Sequence, residues 1–318
     1  MIDCPHRCQP APCPYWTWET DMERRTFLAT IGTGAAAAVV APRLAFAGPA
    51  GAFGGTALAT AIAAAERRSG GRLGVAVLDL ATGARFDHRG DERFAMCSTF
   101  KFPLSGAVLA AADAGRLRLN RAVPVPRAPL PGNSPVVSKH KGSAMTVEQL
   151  CAATMTFSDN AAANLLLPLI GGVDGFNAFV ARLGDRTTRL DRQEPELNTA
   201  IHGDDRDTTT PTAMLNTMRA LLFGPALTPA ARAKLTGWLV ANTTGGTRLR
   251  AGLPRGWRVG DKTGSGENGT YNDVAVIWPG ATRRPILVTC YLTGATVPQR
   301  AAHRIHADVG RAVAAATA

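Results

Sequence analysis

The order of strand-like and helix-like segments is the feature that most constrains how this chain folds. Residues 73–80 predict a strand closed by a Thr-Gly turn, with an edge or hairpin partner after it. From Ser98 to about Val240 the apolar pattern becomes helical. Strand patterns then return at residues 257–262, 271–278 and 285–292. The sheet must therefore draw strands from both ends of the chain around a long helical insertion.

Helical patterns at residues 56–69 and from about Pro298 to the C-terminus flank these strands. We therefore predict an α/β fold of the α+β sandwich type, in which terminal helices flank an antiparallel sheet and an all-helical lobe is inserted. The α/β lobe takes about 48–95 and 245–318, and the helical lobe about 96–244. A site for a small molecule is expected in the cleft between the two lobes.

The first 47 residues contain the parts of an export signal. Arg24-Arg25 precede an apolar run from Thr26 to Ala41, which is shorter than the roughly 20 residues that a membrane span needs. Small residues at 45–47 then offer a cleavage site, although an uncleaved N-terminal anchor is the alternative. We predict an N-terminal extension plus a twin-arginine-type signal peptide over 1–47, a secreted or periplasmic protein, no stable membrane span after processing, and a single catalytic domain over 48–318.

The formal net charge of +11 suggests nucleic acid at first sight, but the arginines that supply most of it are scattered among acids and form no stripe. We therefore expect no nucleic-acid partner. Lysine is rare by comparison. Because arginine cannot release its proton, a site that needs a titratable amine must keep lysine. The lysines of the chain are Lys101, Lys139, Lys141, Lys234 and Lys262.

The first chemical motif places Ser98 and Lys101 three residues apart, on one helix face if the helix begins at Ser98. At a helix start, free backbone N–H groups and the helix dipole favour an oxyanion. The same spacing recurs at Ser138 and Lys141, so the spacing alone is weak evidence, and a capping serine beside a surface lysine is the alternative. The flanks differ, because a long apolar stretch follows only Ser98.

Two further triplets follow in the chain. Ser158-Asp159-Asn160 closes a helix that a capping box opens at Thr146, and Lys262-Thr263-Gly264 ends a strand. Each triplet alone is also an ordinary turn or strand end. Order and spacing carry the weight, because all three motifs fall at ends of elements that can converge on the predicted cleft.

A polar loop at residues 189–207 lacks any apolar period, and a loop of that length within a domain is usually functional. It contains Glu194-Pro195-Glu196-Leu197-Asn198. With the three motifs, this segment resembles the Glu-Xaa-Xaa-Leu-Asn omega loop of the class A serine β-lactamases, which belong to the penicillin-recognising serine enzymes. The resemblance covers nearly the whole of the mature chain.

The resemblance implies hydrolysis of β-lactam antibiotics, namely penicillins and cephalosporins, through an acyl-enzyme. It implies that Ser98 is the nucleophile, with Lys101 close to its proton. Ser158 would pass a proton to the departing lactam nitrogen, kept in line by Lys262. Glu194 would activate the water that releases the acyl group. Whether Lys101 or Glu194 takes the serine proton stays open.

The other implied residues bind the substrate or hold the loop. The substrate-binding residues are Asn160, Asn198, Thr263, Gly264, Ser265 and Arg248. The backbone N–H groups of Ser98 and Ser265 would hold the oxyanion. Arg192 and Asp207 are expected to pair at the neck of the loop, although two solvated charges are the alternative.

The chain also departs from the family pattern. Tyr271 stands where many class A enzymes carry the arginine that binds the substrate carboxylate, and Arg248 occupies the place from which a subgroup supplies it. Asn133 stands where the family commonly has a rim aromatic. Gly266 stands where some relatives have a partner for Cys97, so we expect Cys97 to be a buried free thiol. The chain does not reveal whether the other two mature cysteines pair.

The nearest alternative is a D,D-peptidase or penicillin-binding protein, which shares the three motifs but is acylated without rapid release. Glu194 and Asn198 argue against it. A catalytically silent binding module on the same scaffold would be expected to have lost Ser98, Lys101 or Glu194, and none is missing.

Other hydrolase classes find little support. The chain has no Gly-Xaa-Ser-Xaa-Gly elbow, and its histidines are not clustered as a zinc site requires. His303 and His306 share a helix face and are expected at the surface. We predict no cofactor and no metal, a monomer, and a small-molecule β-lactam as the only partner.

Overall fold

Five strands form one antiparallel sheet, in the spatial order Arg85–His88, Arg72–Asp79, Ile286–Thr293, Thr270–Trp278 and Arg258–Gly266. The computed structural model describes residues 53–317. Its strands are β1 (Arg72–Asp79), β2 (Arg85–His88), β3 (Phe94–Ala95), β4 (Ala122–Pro124), β5 (Ala144–Thr146), β6 (Thr208–Thr209), β7 (Arg258–Gly266), β8 (Thr270–Trp278) and β9 (Ile286–Thr293). Strands from both ends of the chain thus share one sheet, which confirms the predicted fold class.

Helices flank the sheet and fill the insertion. They are α1 (Gly55–Ser69), α2 (Lys101–Asp113), α3 (Val147–Thr156), α4 (Asn160–Leu166), α5 (Gly172–Arg182), α6 (Pro211–Phe223), α7 (Pro229–Val240) and α8 (Gln299–Ala315). Short 3-10 turns lie at Cys97–Phe100, Val137–His140, Leu167–Ile170, Glu196–Asn198 and Leu249–Gly252. The capping box predicted at Thr146 is present, since its side chain accepts from Gln149 N–H while the Gln149 side chain accepts from Thr146 N–H.

Side chains alternate between the two faces of the sheet along each strand. Both faces are buried, each in its own core. Val75 and Val77 of β1 pack into a core shared with α1 and α8. Ala76 and Leu78 point to the other face and join the larger core of the helical lobe. The nearly continuous burial of β1 follows from this double packing.

Helix α2 runs through the helical lobe with most of its residues buried, from Lys101 to Leu109 without a break. A helix that is apolar on all sides can lie only inside a core. Its first turn is therefore held rigidly from every side, and that turn carries Lys101.

Strand β7 extends further than the sequence predicts. The Lys-Thr-Gly triplet does not end the strand, because β7 continues to Gly266 and pairs with β8 along its whole length, from Arg258 with Trp278 to Gly266 with Thr270. A tight hairpin joins the two strands and keeps the ladder intact to its end. The segment after the triplet is thus fixed in a sheet.

Helix α8 lies unusually close to the 3-10 turn Leu249–Gly252. The close approach is possible because each element has a glycine that faces the backbone of the other. A Cβ at Gly310 would lie 2.4 Å from Leu249 O, and a Cβ at Gly252 would lie 1.8 Å from Ala307 O. Neither position leaves room for a methyl group. The turn that directly follows Arg248 is therefore held against α8.

The export signal predicted for residues 1–47 lies outside the described residues. Within residues 53–317 no single helix combines the length and apolar character needed to cross a bilayer, and only the bent pair Asn160–Ile170 and Gly172–Arg182 passes that test together.

Gly310→Ala is expected to lower the free energy of unfolding by about 1–3 kcal/mol, since the new methyl group forces α8 away from the turn. Gly237→Ala is the matched control. Gly237 lies exposed within α7 with nothing near its Cβ position, so alanine there should raise the free energy of unfolding by about 0.5–1 kcal/mol. Urea denaturation of both variants measures the difference. Equal shifts in the same direction would contradict the close-contact argument.

Candidate active site

Ser98 lies in the 3-10 turn Cys97–Phe100, and Lys101 begins α2 directly after it. The turn brings Lys101 Nζ to 2.9 Å from Ser98 Oγ, and both residues are buried. The second serine–lysine pair is different, because Ser138 and Lys141 are both exposed. Only the first pair therefore has the burial and contact that a reactive hydroxyl needs.

Four residues surround the Lys101 amine. Nζ lies 2.8 Å from Ser158 O, 2.6 Å from Asn160 Oδ1 and 2.8 Å from Glu194 Oε1, besides its contact with Ser98. Burial lowers the pKa of Lys101 below its ordinary value, while the nearby Glu194 carboxylate opposes that shift. The amine is thereby brought towards a pKa at which it can exchange a proton.

Glu194 reaches the nucleophile from the polar loop. Its Oε1 accepts from Ser98 Oγ at 3.2 Å, and Asn198 Nδ2 donates to its Oε2. The other amide atom of Asn198, Oδ1, is buried and has no hydrogen-bond partner within the described residues. The carboxylate beside Ser98 is thus bonded to an amide that keeps one unpaired acceptor within the described residues.

Two residues, Asp207 and Asn164, hold the loop that carries Glu194. At its neck, Arg192 Nε donates to Asp207 Oδ2 at 2.6 Å, and Asp207 Oδ1 accepts from the N–H groups of Asp191 and Arg192. Asn164 of α4 bonds to the Glu194 backbone twice, donating to its carbonyl at 2.7 Å and accepting from its N–H at 3.1 Å. Asn164 is a residue that the sequence argument missed. Its spacing of four from Asn160 on one helix face was the available signal.

Asp159 fixes the Ser158 segment by capping α4, since its carboxylate accepts from Ala162 N–H and also from Val136 and Val137 N–H. This leaves Ser158 in a left-handed conformation, with φ of 58°. Non-glycine residues rarely adopt this conformation, so surrounding contacts must hold it.

Asn133 supplies such a contact. It also has a left-handed φ, of 56°, and its Nδ2 donates to Ser158 O at 2.9 Å. In return, Asn160 N–H donates to Asn133 O at 3.0 Å. The rim residue that replaces the usual aromatic therefore directs its amide at the protein's own backbone.

Strand β7 brings the third motif to the same place. Lys262 Nζ donates to Ser158 Oγ at 3.0 Å and to Thr263 O at 2.8 Å. Burial and the nearby Lys101 charge hold the pKa of Lys262 well below its usual range. Close approach of this strand requires glycine, because a Cβ at Gly264 would lie 2.8 Å from Met96 O.

Arg248 lies beneath the end of β7 with only 4% of its surface exposed. Its Nη1 donates to the carbonyls of Gly264 at 2.6 Å and Asn272 at 2.5 Å, and its Nη2 donates to Ser265 Oγ at 2.6 Å. The family resemblance predicts a guanidinium fork that faces a ligand. Here much of the fork binds backbone carbonyls, and its outward contact is made through the Ser265 hydroxyl.

Asp261, which precedes the Lys-Thr-Gly triplet in β7, is fully buried and bonds the strand to residues outside it. It accepts from Asn242 Nδ2 at 2.6 Å and from Arg250 Nε at 3.1 Å. Thr244, next to Asn242, contacts the Thr263 hydroxyl. Asn242 and Thr244 carry no motif of their own and were not found from the sequence.

The cysteines and one histidine settle two open expectations. Cys97, Cys151 and Cys290 are all buried free thiols, so no pair forms among them. The expectation that His306 lies at the surface is wrong: it is fully buried, with Nδ1 3.5 Å from the Cys290 sulfur. Its position between Ile305 and Val309 on the buried face of α8 explains the difference.

Known proteins are similar to this chain in sequence. The model of the β-lactamase enzyme family matches residues 57–317. A β-lactamase of Citrobacter koseri is 50% identical over 232 residues, which cover 73% of this chain and 79% of that protein. The L2 β-lactamase of Stenotrophomonas maltophilia is 44% identical over 295 residues, which cover 91% and 97%.

Solved structures of β-lactamases are also similar to this chain, both in fold and in sequence. The class A β-lactamase of the last common ancestor of Gram-negative bacteria is 57% identical, with a TM-score of 0.81, and the match covers 82% of this chain and all of that one (100%). A β-lactamase from Xanthomonas campestris is 48% identical, also with a TM-score of 0.81, over 82% of this chain and 97% of that one. The chain therefore belongs to the β-lactamase enzyme family, and within it to the class A enzymes.

Proposed function

We propose that this protein hydrolyses β-lactam antibiotics, both penicillins and cephalosporins, through an acyl-enzyme on Ser98 that a Glu194-activated water releases. The observation that carries the proposal is the position of Glu194, whose Oε1 lies 3.2 Å from Ser98 Oγ and whose Oε2 is bound by Asn198. A base at this place can serve the step that separates a hydrolase from a trapped acyl-enzyme.

In acylation, Ser98 Oγ attacks the lactam carbonyl, and the backbone N–H groups of Ser98 and Ser265 stabilise the oxyanion. The new Oγ–C bond forms as the lactam C–N bond breaks. The serine proton leaves through Lys101 or through Glu194, both of which contact Oγ. Ser158 delivers a proton to the departing nitrogen, and the Lys262 contact at 3.0 Å orients its hydroxyl.

In deacylation, Glu194 removes a proton from a water that attacks the ester carbonyl. Asn198 Oδ1 is suited to accept a second hydrogen bond from that water, since it is buried and has no partner within the described residues. Arg192 and Asp207 keep the loop closed behind it. The serine then regains its proton and the ring-opened acid leaves.

Substrate binding involves the end of β7 and the start of α4. Asn160 is assigned to the amide side chain of the antibiotic, and Thr263, Gly264 and Ser265 line its carboxylate end. Arg248 supplies positive charge there and donates to Ser265 Oγ at 2.6 Å. Because that oxygen accepts from Arg248, the Ser265 proton is free to point at the carboxylate.

We also propose that residues 1–47 form an extension and a twin-arginine signal, and that residues 48–318 act as a single secreted or periplasmic catalytic domain and as a monomer. The paired Arg24-Arg25, the apolar run after them and the small residues at 45–47 support the export route. The family match over residues 57–317 supports a single domain.

Glu194→Ala is expected to be acylated by a chromogenic cephalosporin and then to stall, because the water loses its base. Turnover should fall by about 10²- to 10⁴-fold, with the acyl-enzyme visible by mass spectrometry. Glu196→Ala on the same loop is the control, since Glu196 is exposed and should leave turnover unchanged. A wild type that itself stays acylated for hours would replace the hydrolase with a D,D-peptidase or penicillin-binding protein.

Ser98→Ala is expected to abolish covalent labelling by a fluorescent penicillin, because the Ser98 hydroxyl contacts both the Lys101 amine, at 2.9 Å, and the Glu194 carboxylate, at 3.2 Å. Ser138→Ala removes the exposed serine of the second pair and should label like the wild type. Gel fluorescence after denaturation measures both. Labelling that survives Ser98→Ala would assign the nucleophile elsewhere.

A further inference from the structure

His303 of α8 makes two side-chain contacts with consecutive residues of the segment that carries Arg248. Its Nε2 lies 3.3 Å from Arg248 Nη2, and its Nδ1 lies 3.0 Å from Thr247 Oγ1. The ring also packs edge-on against Tyr271, with centroids 5.5 Å apart and planes at 83°. The imidazole is thus held in orientation by three neighbours from two other parts of the chain.

The direction of these hydrogen bonds follows from their chemistry. Arginine has only donors, so Nε2 of His303 must accept from Arg248. The proton of a neutral imidazole then lies on Nδ1, which donates to Thr247 Oγ1. Partial burial and the Arg248 charge lower the pKa of His303 to about 4, so the ring is neutral at physiological pH.

The donors of Arg248 are almost fully used. Both N–H groups of Nη1 bind the carbonyls of Gly264 and Asn272. Those of Nη2 go to Ser265 Oγ and His303 Nε2. The remaining donor, Nε–H, is buried and unpaired within residues 53–317. Nη2 is the nitrogen that contacts the Ser265 hydroxyl on β7, and His303 accepts one of its two N–H groups.

We propose that His303 is a positioning residue for the carboxylate of the antibiotic, acting through Arg248 and Ser265; this inference rests on the proposed function. An imidazole that occupies one Nη2 hydrogen leaves the other aimed at Ser265 Oγ. That contact turns the Ser265 proton towards the cleft, where the substrate carboxylate lies. Without His303, the contact with Ser265 Oγ is the one that still orients the Nη2 end of the guanidinium among the contacts within residues 53–317.

A carboxylate contact of this kind is present in the Michaelis complex and in the transition state alike. Its loss should therefore appear in KM and leave kcat nearly unchanged. The effect should also vanish for a substrate that has no carboxylate. A loss of general folding or of nucleophile geometry would instead affect every substrate.

The experiment compares a penicillin with its methyl ester as substrates of the wild type, His303→Ala and His303→Gln. For the penicillin, His303→Ala should raise KM by about 10-fold, the value expected when one hydrogen bond to a charged group is lost. Its kcat should stay within about two-fold of the wild type. For the ester, kcat/KM should be the same in the wild type and in His303→Ala.

Glutamine carries an amide oxygen about as far from the backbone as Nε2, so His303→Gln should restore most of the affinity for the penicillin. Arg304→Ala, at the exposed neighbouring position of α8, is the control and should match the wild type on both substrates. Thermal denaturation checks that all three variants fold.

Two results would overturn the inference. An unchanged KM of His303→Ala for the penicillin would show that Arg248 needs no help, and equal losses on acid and ester would show a merely structural role. A wild type that hydrolyses neither substrate would instead overturn the proposed function itself, and the positioning role with it.

Discussion

The site depends on one buried amine. Lys101 Nζ contacts the nucleophile, the carbonyl of Ser158, the amide of Asn160 and the carboxylate of Glu194, so three chain segments that are far apart in sequence meet at a single point. An amine with no exposed surface is costly to bury, and only close oxygen partners offset that cost. The three segments are therefore not independent: displacing one of them changes the surroundings of the amine for both of the others.

Close oxygen partners and opposing charge also explain how a second lysine, Lys262, can lie so close to Lys101. Lys262 Nζ contacts Ser158 Oγ, which is itself 3.4 Å from Lys101 Nζ. Two amines against one hydroxyl repel each other as cations, and burial lowers the pKa of both. Asp261 lies fully buried next to Lys262 in sequence and contributes the opposing negative charge. The balance of charge at the site is thus a property of the whole cluster.

Much of this was predictable, because the chemistry lies at ends of elements that sequence patterns recognise. The strand and helix order predicted the sheet with its inserted helices, and the motif spacing placed Ser98, Ser158 and Lys262 where they could converge. Hydrogen bonds across long separations were not predictable. Asn133 reaches Ser158 and His303 reaches Arg248 only because the fold brings them together. The apolar periodicity of one helix does not show which residues of other segments its side chains contact.

The prediction for His306 failed for a different reason. Its helix face was identified, but the buried side was not, although Ala302, Ile305 and Val309 mark that side by their spacing. Likewise, the family resemblance predicts that Arg248 binds the substrate carboxylate, but it could not show that two backbone carbonyls accept the N–H groups of its Nη1. The identity of a side chain indicates its charge, but only the structure shows which groups its hydrogen bonds point to.

The close contact between Gly310 and the backbone of Leu249 has a consequence for how this enzyme can change. The position of the turn after Arg248 is set by its contact with α8. This helix lies on the opposite side of the sheet from the nucleophile. A substitution that widens this gap moves Thr247 and Arg248 with it. Resistance to a new antibiotic can therefore arise by drift in a supporting helix, through residues that no drug molecule ever touches.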